Sequence, residues 1–119
     1  MALHNEIGKV GENLAADYLI GKGYQILERN WRNVHKEIDI IAKDGDFLVI
    51  VEVKTRSTDE YGNPDIAVNR TKQRRLISAA NSYIYRKKLD VNTRFDIISI
   101  ILTDGKPLIE HIEDAFLPF

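Results

Sequence analysis

Two pairs of charged residues stand at alternating positions in neighbouring predicted strands. Glu37 and Asp39 are two residues apart, as are Glu52 and Lys54. Side chains two apart on a strand share a face, so each pair presents its charges together. A tight turn between the strands would bring Asp39 and Glu52 within reach of one cation. Two carboxylates held so close repel each other, and a divalent metal ion is the best means of neutralising them.

The available ligand atoms favour one kind of metal chemistry. The chain has no cysteine, and its three histidines, His4, His35 and His111, share no ligand spacing, so we expect them at the surface. Carboxylate and carbonyl oxygens without His or Cys suit Mg²⁺ or Mn²⁺ rather than zinc. Lys54 could orient a water or stabilise the charge that develops on a phosphate under attack. A solvated strand with a weak surface salt bridge explains the same spacing and stays open at this point.

Seven elements are predicted to position these residues, in the order α-β-β-β-α-β-β. Apolar residues at intervals of three and four predict helices over residues 6–20 and 71–88. The predicted strands cover residues 24–31, 37–41, 47–54, 95–102 and 108–112. The Asp44 and Gly45 turn makes the second and third strands antiparallel neighbours. The order indicates an α/β fold with a small mixed central sheet flanked by helices.

Several residues around the two strands have a predicted location. Ile38 and Ile40 are predicted to face away from the acids of their strand. Glu52 directly follows an apolar run, at a core rim where charged groups are seldom buried unless paired or bound to metal. Trp31 is predicted to pack in the core, and Tyr61 lies in a long predicted loop over residues 56–70, with no role that the sequence decides.

Length and composition exclude several classes of protein. With 119 residues, 44% hydrophobic and 29% charged, the chain is too apolar for intrinsic disorder and too charged for a membrane protein. This length suits a single domain over residues 1–119. The N-terminus lacks the apolar stretch of a secretory signal, so we expect a cytoplasmic location.

The formal net charge of the chain is -1, but its charged residues are distributed unevenly along the sequence. Between Asn69 and Arg94 there are eight basic residues and one acidic residue, Asp90. A basic helix in isolation is more often a solvated face, but a basic region beside an acidic metal site favours binding of a polyanion such as DNA. The predicted nucleic-acid contacts are Arg56, Arg70, Lys72, Gln73, Arg74 and Arg75.

The spacing of the charged motifs also resembles known proteins. Asp39 is followed thirteen residues later by Glu52-Val53-Lys54, a pattern similar to the PD-(D/E)xK restriction-endonuclease-like nuclease superfamily. A wider set resembles the YraN-like bacterial family, whose implied fold is an endonuclease-like core similar to archaeal Holliday junction resolvases. The residues that carry this closer resemblance are Gly8, Gly11, Glu12, Ala15, Tyr18, Leu19, Gly23, Tyr24, Arg29, Asn30, Glu37, Ile38, Asp39, Val51 to Lys54, Gln73, Arg74, Arg94, Phe95 and Asp96.

The resemblance implies a role for each residue of the site. It makes Asp39, Glu52 and the Val53 backbone carbonyl metal ligands, Lys54 the catalytic lysine, and Glu12 a further acid reaching from the first helix. Without it, Glu12 reads as an exposed helix residue. Glu37 is either an outer ligand or the surface partner of Lys36 or Arg56, and Gln73 lines the site.

Two functions follow as expectations from these residues and their resemblance. The first is a Mg²⁺- or Mn²⁺-dependent endonuclease that cuts DNA, branched or damaged. The second is a non-catalytic nucleic-acid-binding or protein-interaction module built on the same fold. A homodimer would suit a substrate with two strands to cut.

Overall fold

The elements of the fold follow the predicted order. The computed structural model describes residues 2–57 and 68–118. Its elements are α1 (Ala2–Gly21), β1 (Gln25–Asn33), β2 (Lys36–Asp44), β3 (Phe47–Ser57), α2 (Arg70–Lys87), β4 (Asn92–Leu102) and β5 (Leu108–Ile112). The order α-β-β-β-α-β-β and the bounds of β5 are confirmed.

The long loop predicted over residues 56–70 is shorter than expected at both ends. Arg56 lies on β3, and Arg70 is the first residue of α2. Asn69 caps that helix, because its Oδ1 accepts a hydrogen bond from the Lys72 backbone N–H at 2.8 Å. Tyr61 lies outside the described residues.

The five strands form one mixed sheet in the order β1-β2-β3-β4-β5. All neighbouring pairs are antiparallel except β3 and β4, which are parallel. A parallel pair needs a long crossover connection, and α2 lies within it along the chain. The predicted hairpin between β2 and β3 is confirmed, and it turns at Gly45, whose φ of 58° suits glycine.

The two helices cover opposite faces of the sheet. Leu48 and Ile50 of β3 pack in the cluster that contains the buried residues of α2. Val49 and Val51 of the same strand pack in the cluster that contains Ala15, Ala16 and Leu19 of α1. Because β3 is covered on both sides, its run of apolar residues is continuous rather than alternating. Neither helix in the described part of the chain is long and apolar enough to cross a membrane.

The outer end of the β1–β2 hairpin breaks the alternation of faces. Ile38 joins the cluster under α2 while Ile40 joins the cluster under α1, so the prediction that they share a face is wrong. Their partners across the ladder are Trp31 and Arg29, on either side of Asn30. Asn30 has a φ of 53° instead of an extended value. Strict alternation requires extended backbone at each residue, so this left-handed residue rotates the hairpin end relative to the sheet.

Trp31 packs as predicted. Its ring meets the Tyr83 ring edge-on, with the centroids 5.4 Å apart, and it lies against the cluster under α2. This contact joins the hairpin to α2 and fixes the outer end of β1 over the core.

Candidate metal site

Asp39 lies where the pairing of β2 with β3 ends. The last ladder pair at this end is Ile40 with Val51. Beyond it, Asp39 Oδ2 accepts a hydrogen bond from the Val53 backbone N–H at 2.9 Å. A side chain therefore replaces the strand carbonyl, and this brings the Asp39 carboxyl to Glu52, with which it also forms a hydrogen bond.

Partial burial raises the pKa of both carboxyls. Burial first, and then the neighbouring charge of Asp39, raise the pKa of Glu52 to about 7 against the lowering effect of Lys72. Burial likewise raises the pKa of Asp39, although its hydrogen bond from Val53 acts in the opposite direction. A hydrogen bond between two carboxyls needs one proton, so near neutral pH this acid pair, Asp39 and Glu52, retains a proton that a cation would displace.

Glu12 reaches this site because α1 approaches β3 very closely. A Cβ atom at Gly11 would lie 1.8 Å from Thr55 Oγ1, so only glycine permits the contact. Glu12 follows directly and is half-buried; burial first, and then the charge of Asp39, raise the pKa of its carboxyl. In the amide orientation that satisfies both groups, Asn30 donates to the two Glu12 oxygens at 2.8 and 3.3 Å.

Asp39 and Glu12 line an open cleft of about 780 Å³, whereas Glu52 is not among the described residues that line it. One wall is the N-terminal half of α1 with Lys9 and Glu12, and the other is the β1–β2 hairpin with Arg32 and Glu37. Arg32 Nη2 lies 3.9 Å from Glu37 Oε1. The prediction that Lys36 or Arg56 pairs with Glu37 is not borne out, and the Lys36 ammonium instead donates to Ser82 Oγ at 3.3 Å.

Lys54 and the Val53 carbonyl belong to the strand that carries Glu52. Lys54 is half-buried and two residues beyond Glu52, which places both on the α2 side of the sheet. Val53 and Thr55 line the cleft, whereas Lys54 is not among its lining residues in the described part of the chain. The cleft therefore opens on the α1 side of β3, and Glu52 and Lys54 lie on the opposite side of that strand.

The donor set fits a hard divalent cation. Within residues 6–57 and 68–118, no three Asp, Glu or His side chains form a group that could hold a metal ion by themselves. Mg²⁺ keeps several waters and typically uses one or two carboxylates, so Asp39 and Glu52 suffice as side-chain ligands. The Val53 carbonyl and Glu12 are the other ligands that the sequence predicts, and both residues line the same cleft as Asp39.

Comparison with known proteins places the chain in a family. A model described as "Uncharacterised protein family UPF0102" matches residues 11–100, which include Glu12, Asp39 and Glu52. The chain belongs to this family. UPF0102 proteins of Christiangramia forsetii and Phocaeicola vulgatus are 52% and 48% identical over 119 and 118 residues, covering 100% and 99% of this chain and 100% and 98% of the relatives. A UPF0102 protein of Thermodesulfovibrio yellowstonii is 55% identical over 111 residues, covering 93% of this chain and 96% of the relative.

In this UPF0102 chain the predicted nucleic-acid contacts separate into three groups. Arg70, Arg74 and Arg75 are exposed on the first half of α2. Lys72 instead lies 3.4 Å from Glu52 Oε2, and the Gln73 side-chain amide donates to the Val68 carbonyl at 2.7 Å. Arg56, the remaining predicted contact, lies on β3 and is half-buried.

Arg94 was counted with the basic region, but it is buried. Its guanidinium donates to both carboxylate oxygens of Asp96 at 3.0 Å. It also donates to Asp44 Oδ2 at 2.9 Å and to the Tyr24 hydroxyl at 2.6 Å. With only 10% of its side chain exposed, Arg94 is removed from the surface that a polyanion could contact.

His111 completes this second cluster, and the prediction that it lies at the surface is wrong. Its side chain is 2% exposed, because β5 pairs with β4 and carries the imidazole inward. Nε2 lies 2.8 Å from Asp96 Oδ2, and Nδ1 lies 3.3 Å from the Lys22 ammonium. An ammonium can only donate, so Nδ1 accepts and the neutral imidazole donates from Nε2 to Asp96. His35 is exposed as predicted, and the side chain of His4 lies outside the described residues.

The name Arg94 cluster is used below for five residues: Arg94, Asp96, His111, Tyr24 and Asp44. The Arg-x-Asp spacing on one strand was a signal for its central pair, since residues two apart share a face. Nothing in that spacing identifies His111 as the third member, because the contact depends on the pairing of β4 with β5.

Proposed function

We propose that this protein is a divalent-metal-dependent endonuclease that hydrolyses phosphodiester bonds in DNA. The observation that carries the proposal is the acid pair, Asp39 and Glu52, half-buried at the end of the β2–β3 ladder with raised pKa values. Asp39 of this pair lines a cleft that also presents Glu12. Buried carboxyls that share a proton destabilise the fold, and perturbed acids in a cleft are typical of functional sites. The resemblance of the motif to PD-(D/E)xK nucleases supports the same conclusion.

Asp39 and Glu52 would hold Mg²⁺ or Mn²⁺, with the Val53 carbonyl and Glu12 as further oxygen ligands. A divalent cation in such a site lowers the pKa of a water and offsets negative charge on the phosphate. The chain itself orients the ligands: the Val53 N–H fixes the Asp39 carboxylate, and the Asn30 amide holds Glu12.

Lys54 would supply positive charge to the phosphate under attack. It occupies the α2 side of β3 together with Glu52, so a phosphate must approach the end of the β2–β3 ladder to contact both the lysine and the acids. Lys72 Nζ lies 3.4 Å from Glu52 Oε2, and we expect it to move toward phosphate when a metal takes over its neutralising role.

The exposed basic residues of α2 provide a route for the rest of the strand. Arg70, Arg74 and Arg75 lie in the same first turns as Lys72, which is next to Glu52. Contacts of arginine with phosphates confer affinity without reading sequence, and they make binding strongly dependent on salt. The proposal therefore predicts binding that weakens steeply as salt rises.

A metal titration with labelled DNA tests the proposal. Full-length protein is incubated with linear duplex, single-stranded and four-way branched DNA at increasing Mg²⁺ or Mn²⁺. We expect cleavage only with metal, reduced by about 10²-fold or more in Asp39→Asn and Lys54→Ala. Asp17→Asn and Lys106→Ala, which alter exposed residues of the same types, are the matched controls and should cleave like the wild type. Absence of cleavage of every substrate with every metal would refute the proposal.

A second candidate function is nucleic-acid binding without cleavage. It is favoured by the Lys72–Glu52 ion pair, which already neutralises part of the acid pair, and by the position of Lys54 outside the lining of the cleft. In that case binding should be sensitive to salt and unchanged by Asp39→Asn. Equal affinity of Asp39→Asn and wild type, with no cleavage by either, would favour this second function.

A further inference from the structure

The tip of the β1–β2 hairpin has an exposed apolar residue in a strained conformation. Asn33 and Lys36 form the last ladder pair, so Val34 and His35 make the turn. Val34 is 85% exposed and has a φ of 58°. A β-branched residue rarely adopts this region, and two-residue hairpin turns favour Asn or Gly there. Strain combined with an exposed apolar side chain indicates that the tip contacts something.

The tip stands at the end of the cleft wall. Arg32 and Glu37, which lie two residues from Val34 and His35, line the cleft that leads to Asp39. Val34 is five positions from Asp39 along the chain, which at about 3.3 Å per residue is roughly 16 Å. Bases of one DNA strand follow each other at about 3.4 Å. A phosphate at Asp39 therefore puts the tip roughly four or five base steps along the same nucleic acid.

The surroundings of the tip suit a nucleic acid rather than an apolar partner. The side chain of Arg32 is 73% exposed, and Lys9 lies on the opposite wall of the cleft. His35 is exposed beside Val34 and offers ring nitrogens to a phosphate or base. Proteins that deform DNA combine such cations on the backbone with an apolar side chain inserted between base steps.

We propose that the turn of Val34 and His35 is a wedge that enters a weakened base step of DNA. The substrate class is DNA with a bulge or branch roughly four or five steps from the phosphate at Asp39. A single valine gives little contact area to offset the stacking of an intact step, whereas a bulge or branch has already lost part of that stacking. The placement of the phosphate rests on the proposed function, but the wedge itself does not depend on cleavage.

The test uses a fluorescent base at the weakened step. A duplex with a one-base bulge carries 2-aminopurine beside the bulge, and a fully paired duplex of the same sequence is the reference. Binding to full-length protein is measured without added divalent metal, so that the substrate stays intact. We expect the wild type to bind the bulged duplex roughly tenfold more tightly and to raise the 2-aminopurine fluorescence as the base unstacks.

Three variants separate the apolar contact from the backbone strain. Val34→Gly relieves the strain and removes the side chain, so it should unfold at higher urea yet lose the preference for the bulge and the fluorescence rise. Val34→Leu keeps an apolar side chain without the β-branch, and it should retain the preference for the bulge and the fluorescence rise. Leu117→Asn removes an apolar residue that is 69% exposed near the C-terminus, and it should behave like the wild type.

The outcomes distinguish the wedge from the proposed function. Equal preference for the bulge in wild type and Val34→Gly overturns the wedge, as does loss of the preference in Val34→Leu. Self-association that Val34→Gly abolishes also overturns it, because the tip would then lie between copies of the chain. Cleavage is measured separately with Mg²⁺. Cleavage that does not depend on Val34 supports the proposed endonuclease function without the wedge. A preference for the bulge without cleavage supports the wedge and refutes only the endonuclease function.

Discussion

The Arg94 cluster surrounds the buried carboxylate of Asp96, the acid pair consists of two half-buried carboxyls, and their pKa values shift in opposite directions. Burial alone would raise the pKa of Asp96, but His111, the Arg94 guanidinium and the Asp114 N–H together lower it. Burial raises the pKa of both Asp39 and Glu52, and a single ion pair with Lys72 does not compensate. A carboxylate with complete partners stabilises the fold, whereas incomplete partners leave room for a ligand to supply the missing charge.

The largest expected effect is the loss of Arg94. Arg94→Met leaves Asp96 buried without its main cation, and we expect the free energy of unfolding to fall by about 3–5 kcal/mol in urea titration. Asp44→Asn removes only the half-buried partner of the guanidinium and should cost about 1 kcal/mol or less. A cost for Arg94→Met no larger than that of Asp44→Asn would show that the Arg94 cluster does not stabilise the fold.

The next effect concerns the contact that positions Glu12. Gly11→Ala forces α1 away from Thr55 and should destabilise the protein by about 1–3 kcal/mol. Gly8→Ala is the matched control on the same helix, because nothing lies within 4 Å of its added Cβ, and it should stabilise by about 0.5–1 kcal/mol. If thermal unfolding ranks the two variants in the opposite order, the close approach of α1 to β3 is wrong.

Removing the charge of Glu52 should stabilise the fold. Its pKa is raised from 4.5 to about 7, so the folded state binds more protons than the unfolded state between these values. Stability therefore falls as pH rises from about 4.5 to 7, and Glu52→Gln should remove the Glu52 contribution to that slope and gain about 1–2 kcal/mol at pH 8. Urea titrations at pH 5 and pH 8 measure the slope. A steeper slope in the variant would contradict this account of the acid pair.

The smallest effect is stabilisation by the metal itself. At a Mg²⁺ concentration about ten times its dissociation constant, we expect a gain of about 1.4 kcal/mol, or roughly 5 °C in Tm. Glu52→Gln and Asp39→Asn should lose this shift, while Arg94→Met should keep it despite its lower Tm. An equal Mg²⁺ shift in all variants would place the cation elsewhere.

Local patterns predicted the elements, and long-range contacts decided the rest. The approach of Asp39 to Glu52 could be predicted from the sequence. The two residues are thirteen positions apart, and the alternation of the strands and the turn at Gly45 predict a hairpin between them. The split between Ile38 and Ile40 could not be predicted, because it depends on the left-handed backbone of Asn30. The sequence does not predict the burial of His111, because that burial is decided by the register of β4 against β5.

The residues of the acid pair lie close together along the chain, whereas those of the Arg94 cluster lie far apart, and this difference affects the order in which the two sites fold. The acid pair forms within one hairpin, whereas Arg94 bonds to residues 50 and 70 positions away, Asp44 and Tyr24. Contacts between distant residues need costly loop closure and form late. We expect the β2–β3 hairpin, with Asp39 and Glu52 already adjacent, to assemble first. Arg94 then closes on Tyr24 only when the whole sheet is in place, which makes it a reporter of completed folding.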